Sequence, residues 1–354
     1  MKPDISVIMS VYNGEAYLAE AIESVIAQTF ANWELIVIND CSKDGTAELL
    51  EAFSAKDERI RVSTNEVNLK LPASLNKAVS LARGKYIARM DADDICLPER
   101  LEKQFTFMEE NEDIALSSCR FMTLKNGVYQ SGGAGGRCDS RAVRAMLLVS
   151  NPILHPGVLG RAEIFNEYPY DTKLTCSEDQ ELWTRLVMER KKLAILPECL
   201  MIYRLHDKQI TSTSFERQCT EVAGIKQNYF ASFGDVPTDE MLRFFIRGVY
   251  FRKEADPAAF LRFIRWVRKL TAGKMCRKCV NYALLEILAE YKRCGVPKKE
   301  IAKLLLAFAP FFILKETVRR KKAAREDIAK FTAAAERLGL HQTGGTPSYP
   351  VYEK

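Results

Sequence analysis

Lys85-Tyr86-Ile87-Ala88-Arg89-Met90-Asp91-Ala92-Asp93-Asp94 joins two kinds of sequence. Lys85 to Met90 has the length and apolar content of a strand, and it runs directly into three carboxylates within four residues. The segments before it repeat one pattern. Ala73 to Arg83 reads as a helix closed by Gly84, and Ile60 to Ser63 as a short strand. Leu49, Leu50 and Phe53 give a helix its apolar face after a turn and cap at Ser42, Asp44 and Gly45. Trp33 to Ile38 is a buried strand ending at Asn39-Asp40. Leu18, Ala21, Ile22, Val25 and Ile26 recur at helical spacing behind the turn at Asn13-Gly14. Ile5 to Ser10 is apolar without alternation, as in a strand covered on both faces. Strands alternating with helices predict an α/β fold, a Rossmann-like doubly wound and mostly parallel sheet. Such sheets bind ligands beyond the carboxyl ends of their strands, so Asp40 and the Asp91 cluster are expected along one edge.

The pattern is more mixed after residue 110. Ala115 to Leu124 and Val128-Tyr129 flank Asn126-Gly127, a hairpin signal. Ser131 to Gly136 is glycine-rich and is expected to be a mobile loop. Ser177 to Arg190 reads as a helix opening with Ser177 and first-turn acids, and Leu193 to Tyr203 as a strand. From about 211 the chain is helical and basic, and from His341 it is a loose tail.

The bulk composition fits this plan. Hydrophobic residues make up 47% and charged residues 28% of 354, ordinary for a soluble globular protein. The net charge of +6 is uneven: residues 241–354 hold 25 lysines and arginines against 10 acids, so the rest of the chain is acidic. Ten cysteines lack regular spacing and no signal peptide precedes Asp4, which points to a reduced, cytoplasmic protein. Cys276 and Cys279 have no second pair to complete a zinc set. No apolar run reaches spanning length; Ile301 to Leu314 contains Lys303 and Pro310.

Four segments can carry chemistry, and each has a plainer alternative. Asp91, Asp93 and Asp94 repel one another unless a cation such as Mg²⁺ or Mn²⁺ neutralises them; otherwise they form a solvated turn. Asp40 can accept a hydrogen bond from a base or a ribose, or cap a turn with Ser42. Asp179, within Ser177-Glu178-Asp179, can act as a general base or simply favour a helix start. In Tyr203-Arg204-Leu205-His206, His206 can meet a metal or diphosphate and Arg204 a phosphate; a structural histidine is the alternative.

In order along the chain, Ser6-Val7-Ile8-Met9-Ser10-Val11-Tyr12-Asn13, Ile36 to Thr46, Ala82 to Asp94, Asn151-Pro152-Ile153-Leu154-His155-Pro156, Glu178-Asp179 and Tyr203 to His206 resemble the motifs of glycosyltransferase family 2. This is the large inverting group of GT-A fold that includes bacterial capsule and lipopolysaccharide sugar transferases. The resemblance covers roughly residues 4–214. It implies a catalytic domain over 1–210, with a nucleotide half to about 110 and an acceptor half after it. A basic helical region over 211–340 and a flexible tail over 341–354 would follow.

The resemblance also implies roles. Val11, Tyr12, Glu15 and Asp40 would hold the nucleotide base, with uracil expected, and Lys70, Asp91 and Ala92 would approach the nucleotide. Asp93 would be the main ligand of a divalent metal, manganese or magnesium, with His206 assisting. Asp179 would be the catalytic base. Asp94, Glu178 and Arg204 would border the donor or acceptor. His155 would shape the acceptor side or serve as a buried structural residue. Relatives commonly place glycine within Leu69-Lys70-Leu71, which this chain does not. The expected partners are a nucleotide-sugar donor, a UDP-sugar above all, and a glycan or lipid-linked acceptor in cell-surface polysaccharide or lipopolysaccharide synthesis. Ser131 to Gly136 is a candidate lid.

The basic residues interleaved with apolar ones over 240–270, and those following Leu314, fit either a solvated helical face or peripheral attachment to an anionic membrane at its cytoplasmic side. Nucleic acid is not expected, since no recognition motif accompanies the charge. Two alternatives compete. A sugar-1-phosphate nucleotidyltransferase would need a glycine-rich phosphate loop, which Val11-Tyr12-Asn13-Gly14-Glu15 does not supply. A non-catalytic nucleotide-sugar-binding module would have no reason to keep Asp91, Asp93 and Asp179 together.

Overall fold

A computed structural model describes residues 2–132, 138–206, 215–234, 237–250, 256–270 and the isolated positions 297 and 299. The expected first half is present. Strands β1 (Ile5–Val11), β2 (Trp33–Asn39), β3 (Ile60–Thr64) and β4 (Tyr86–Asp91) alternate with helices α1 (Leu18–Ile26), α2 (Thr46–Lys56) and α3 (Leu71–Leu81). The four strands pair in parallel in the order β3-β2-β1-β4. Every residue of β2 is buried. Val7, Met9, Leu35, Val37 and Ala88 pack to one side of the sheet with α1; Ile8, Ile36, Ile38 and Ile87 pack to the other with α3. Covering both faces explains why these strands lack polar alternation.

The second half extends the same sheet. Strand β5 (Ile95–Cys96) and helix α4 (Arg100–Glu110) lead into the hairpin of β6 (Ile114–Lys125) and β7 (Val128–Gly132). Asn126 (φ 49°) and Gly127 (φ 76°) both adopt left-handed geometry, which matches the twist of a tight hairpin. Helix α5 (Ser140–Met146), strand β8 (Leu159–Arg161), helix α6 (Ala162–Glu167), helix α7 (Glu178–Met188) and strand β9 (Lys192–Arg204) follow. The sheet continues β4-β8-β6-β9-β5, with β7 beside β6. β8 is antiparallel to both its neighbours, while β6 and β9 run parallel.

Helices α8 (Phe215–Ala231), α9 (Asp239–Phe244) and α10 (Pro257–Leu270) form the described part of the helical region. Val222, Tyr229, Phe230, Phe260, Phe263 and Val267 join one core cluster with Leu182, Trp183 and Leu193. No helix of the described residues is long and apolar enough to cross a membrane. The basic stretch after Leu314, the tail from 341 and the Cys276/Cys279 pair lie outside the described residues, as do positions 133–137 of the candidate lid; Ser131 and Gly132 belong to β7.

Several local expectations are corrected. Helix α3 starts at Leu71 rather than Ala73, with Pro72 in its first turn, where a missing N–H is harmless. It ends because Ala82 turns extended (φ −69°, ψ 139°), not because of Gly84. Gly84 is needed for close approach: a Cβ there would sit 2.6 Å from the Ser6 nitrogen. Ser177 precedes α7 without capping it, and its hydroxyl is buried with no hydrogen-bond partner.

Candidate functional site

The carboxyl ends of β2, β1 and β4 lie side by side, and the predicted nucleotide residues gather there. Asn39 ends β2 opposite Val11 at the end of β1. The Asp40 amide donates to the Val11 carbonyl at 2.8 Å. The loops after these strands are stitched together: the Asn13 amide donates to Ser42 Oγ (3.0 Å), the Gly14 amide to Thr46 Oγ1 (2.9 Å) and the Gly45 amide to Glu15 Oε2 (3.1 Å). Val11 is buried, and beside it Tyr12 is 52% exposed, a large ring left open on this edge.

Asp40 is buried and its carboxylate is well occupied. Oδ1 accepts from Asn65 Nδ2 and the Leu69 amide, both at 2.8 Å, and Oδ2 accepts from the Lys70 amide at 2.9 Å. It thus fixes the loop before α3. That loop explains the departure at Lys70, whose φ of 71° and ψ of 163° lie where glycine is ordinarily required. The lysine occupies a glycine conformation, held by Asp40 and by Asn68 Oδ1 (3.1 Å).

The acidic turn sits between β4 and β5. Ligand oxygens of Asp91, Asp93 and Asp94 all lie within 4.8 Å of one another. Two-residue β5 pairs Ile95 with Ile202 and Cys96 with Met201, which brings the end of β9 onto this turn. His206 Nε2 lies 2.9 Å from Asp93 Oδ2. The Arg204 amide donates to Asp94 Oδ1 (2.9 Å) and its Nε to the Asp93 carbonyl (2.9 Å). The Arg204 guanidinium is ion-paired with Glu20 and lies 4.6 Å from the centre of the Tyr17 ring. Arg204 thus holds the acidic turn in shape. Tyr17 also packs against the His206 ring.

Electrostatics unite this turn with the start of α7. Arg89 is buried and grips Asp91 with both terminal nitrogens, while its Nε has no partner. Burial opposes its charge, and the Asp91 carboxylate outweighs that. Burial raises the Asp91 carboxyl, with the Asp93 and Asp179 charges adding to it. Asp94 is pushed well above the ordinary carboxylate range by burial and by Asp91 and Asp93, and its Oδ2 has no hydrogen-bond partner. Asp179 is likewise raised by burial, against the Gln180 amide (2.6 Å to Oδ1), Asn151 Nδ2 (2.8 Å to Oδ2) and the Arg89 charge. Glu178 beside it is raised by burial and by Asp179. Asp91, Asp179 and Glu178 therefore all lie within reach of the charge of one buried guanidinium, that of Arg89. A carboxylate raised toward neutrality and directed by an amide is suited to accept a proton.

His155 stands deeper. Its Nε2 pairs with Tyr170 Oη at 2.9 Å and its Nδ1 lies 3.7 Å from Glu178 Oε1. Burial and the Arg89 charge drive its pKa well below the ordinary value, so it is neutral. The donor set around Asp93 is oxygen-rich with one imidazole, and it includes a buried carboxylate oxygen left unanswered. Hard divalent cations suit such a set. Arg89 and Asn151, which lie in quoted motifs but were given no role, join the site, as do Glu20 and Tyr17. The arginine two residues before the carboxylates and the asparagine heading the Asn151–Pro156 motif were the available signals.

Comparison with known proteins shows the family to which the chain is similar. The sequence model for "Glycosyl transferase family 2" matches residues 6–168. An uncharacterized glycosyltransferase of Methanocaldococcus jannaschii is 37% identical over 220 residues, 61% of this chain and 76% of the relative. The O-antigen biosynthesis glycosyltransferase WbnJ of Escherichia coli is 31% identical over 209 residues, 58% of this chain and 80% of the relative. Among solved structures, S. aureus TarS 1–349 with UDP-GlcNAc superposes with a TM-score of 0.54 at 18% identity, covering 95% of this chain and 92% of TarS. The mannosyltransferase PcManGT of Pyrobaculum calidifontis, in complex with GDP-Man and Mn²⁺, gives 0.51 at 15% identity, covering 97% and 89%.

Proposed function

Because this chain belongs to glycosyltransferase family 2, with the GT-A fold, and is an enzyme of glycosyl transfer, we propose that it moves a sugar from a UDP-sugar to an acceptor hydroxyl with inversion, assisted by a divalent cation. The nucleotide sugars bound to TarS and PcManGT support the donor class, and the O-antigen role named for the E. coli relative supports a cell-surface polysaccharide or lipopolysaccharide acceptor. The observation that carries the reading is the cluster of Asp91, Asp93 and Asp94, whose ligand oxygens lie within 4.8 Å of one another, together with an Asp179 carboxylate directed by Asn151 and, like Asp91, within reach of the Arg89 charge.

In this reading Tyr12 lies over the base on the edge formed by Val11, Glu15 and Asp40, and Lys70 and Ala92 border the nucleotide. Asp93 would hold a divalent cation with His206, and Asp91 and Asp94 would complete the negative wall. A divalent cation bound there would offset charge gathering on the diphosphate as the glycosidic bond breaks. Asp179 takes the proton of the acceptor hydroxyl while that oxygen attacks the anomeric carbon from the face opposite the diphosphate. The new C–O bond forms as the diphosphate leaves with the old bond's electrons, and the configuration inverts. Asn151 aims the Asp179 carboxylate, and neutral His155 with Tyr170 walls the acceptor side.

Asp179→Asn is expected to lower transfer by about 10²- to 10⁴-fold while UDP still binds. Asp93→Ala is expected to abolish both transfer and the metal dependence of UDP binding. Turnover together with calorimetry using UDP and Mn²⁺ checks both, and full turnover in Asp179→Asn would remove the base.

A further inference from the structure

Helix α8 lies beyond the stretch matched by the family's sequence model, yet it touches both segments that meet at Asp179. On one side, Glu221 Oε1 accepts from the Thr175 amide and hydroxyl, both at 3.1 Å, and Oε2 accepts from the Cys176 amide at 3.2 Å. Gln218 Nε2 donates to the Cys176 carbonyl (3.4 Å) and Arg217 Nη1 to Thr175 Oγ1 (3.2 Å). These contacts hold the chain immediately before Ser177-Glu178-Asp179. On the other side, Lys226 is fully buried, and its Nζ donates to the Leu147 carbonyl and to the Ser150 carbonyl (3.5 Å). Those carbonyls lie just past the end of α5, and Asn151, which donates to Asp179, comes next. Glu221 and Lys226 are five positions apart, about 1.4 turns, so they point to different sides of α8.

Burying an ammonium group costs several kcal/mol, and burial pushes Lys226 down to about 7. An apolar side chain would fill the same space without that cost. What it would not do is fix two carbonyls of the turn that carries Asn151. We propose that α8 is a clamp for the catalytic base, with Glu221 and Lys226 as positioning residues that hold the two segments joined by the Asn151–Asp179 hydrogen bond. The proposal rests on reading Asp179 as the base.

The test combines Glu221→Gln and Lys226→Met with Asp179→Asn, singly and together. Each variant is assayed for kcat at saturating donor and for UDP affinity by calorimetry with Mn²⁺. Each clamp variant is expected to lower kcat about 10- to 100-fold, as small misplacements of reacting groups do, and to leave UDP affinity within about twofold. Added to Asp179→Asn, neither should cost more, since the clamp then has no base to hold. The residual transfer of Asp179→Asn, read as product over long incubation, reports this. Unchanged kcat, a matching loss of UDP affinity, or the same loss repeated on top of Asp179→Asn overturns the clamp. Glu221 is only half-buried, so Glu221→Gln decides the matter if Lys226→Met fails to fold. Should Asp179→Asn retain full turnover, the base itself is misassigned. Should Asp179→Asn fail while Glu221→Gln and Lys226→Met turn over normally, only the clamp falls.

Discussion

Glu34, near the amino end of the parallel strands, and Asp94 and Glu178, toward their carboxyl ends, are buried acids treated in opposite ways. Near the amino end of β2, Glu34 accepts from Ser6 Oγ (2.7 Å), the Arg83 amide (2.9 Å), the Arg83 side chain (2.7 and 2.9 Å) and Arg61 (2.8 Å). Burial works against its charge, and the Arg83, Ser6 and Arg61 bonds outweigh burial and lower its pKa. At the carboxyl ends, Asp94 and Glu178 are just as buried, each keeps an oxygen without a hydrogen bond, and both are raised. Asp40 shows that the carboxyl ends can satisfy an acid too, so Asp94 and Glu178 are left short individually. Such under-satisfaction costs stability and is expected where a charge must respond to a ligand.

Arg89→Met should break the contrast most severely. It strips the carboxyl-end acids of a buried guanidinium they share, and orphaning a buried ion costs about 3 kcal/mol or more. Urea unfolding checks this, and Arg89→Met combined with Asp91→Asn should recover part of the loss. A cost below about 1 kcal/mol would mean that these acids do not lean on Arg89.

Glu34→Gln probes the opposite end and should cost about 2 kcal/mol, the scale of hydrogen bonds to a charged group. Because the folded pKa of Glu34 is lowered, its contribution is fully present above the ordinary carboxylate value of 4.5 and fades as pH falls through the lower folded value. Unfolding followed downward from about pH 6 should therefore show a steeper loss in the parent protein than in Glu34→Gln.

The smallest effect is expected at Lys70→Gly. Removing the glycine-type strain of a lysine gains about 1 kcal/mol, partly offset by glycine's greater freedom when unfolded, for a net gain of about 0.5 kcal/mol. If the variant melts higher but binds UDP more weakly, the strain is retained for the nucleotide; if UDP binding is unchanged, Lys70 has no share in the site.

Periodicity was a sufficient guide where burial is continuous. Strands β1 to β4, the Asn126–Gly127 hairpin, α7 and β9 all lie within a few residues of their sequence-based positions. It could not show β5 or β8, which at two and three residues are too short to display any period. Yet β5 is what lays the end of β9, with Arg204 and His206, against Asp93. The carboxylates could be picked out as site candidates because acids at strand ends are conspicuous. Their partners could not. Arg89 looks like part of a strand, Glu20 like a helix surface, and Asn151 like a residue before proline. Glu20 and Asn151 become part of the site only when distant segments meet, and Arg89, though it grips Asp91 locally, reaches the Asp179 side only through the fold. Asp40 shows the same limit: its position stood out, but the amides of Leu69 and Lys70 that occupy it depend on how the loop before α3 closes.

The shared core of α8 and α10 with α7 and β9 bears on how such chains can be recombined. The last recognisable motif ends at His206, so an engineer exchanging acceptor-recognition segments between relatives would naturally cut there. A junction at that point would separate Val222, Tyr229, Phe230, Phe260 and Phe263 from Leu182 and Trp183, leaving a greasy wall on each piece. Grafts that carry the chain intact through Leu270 keep that seam closed.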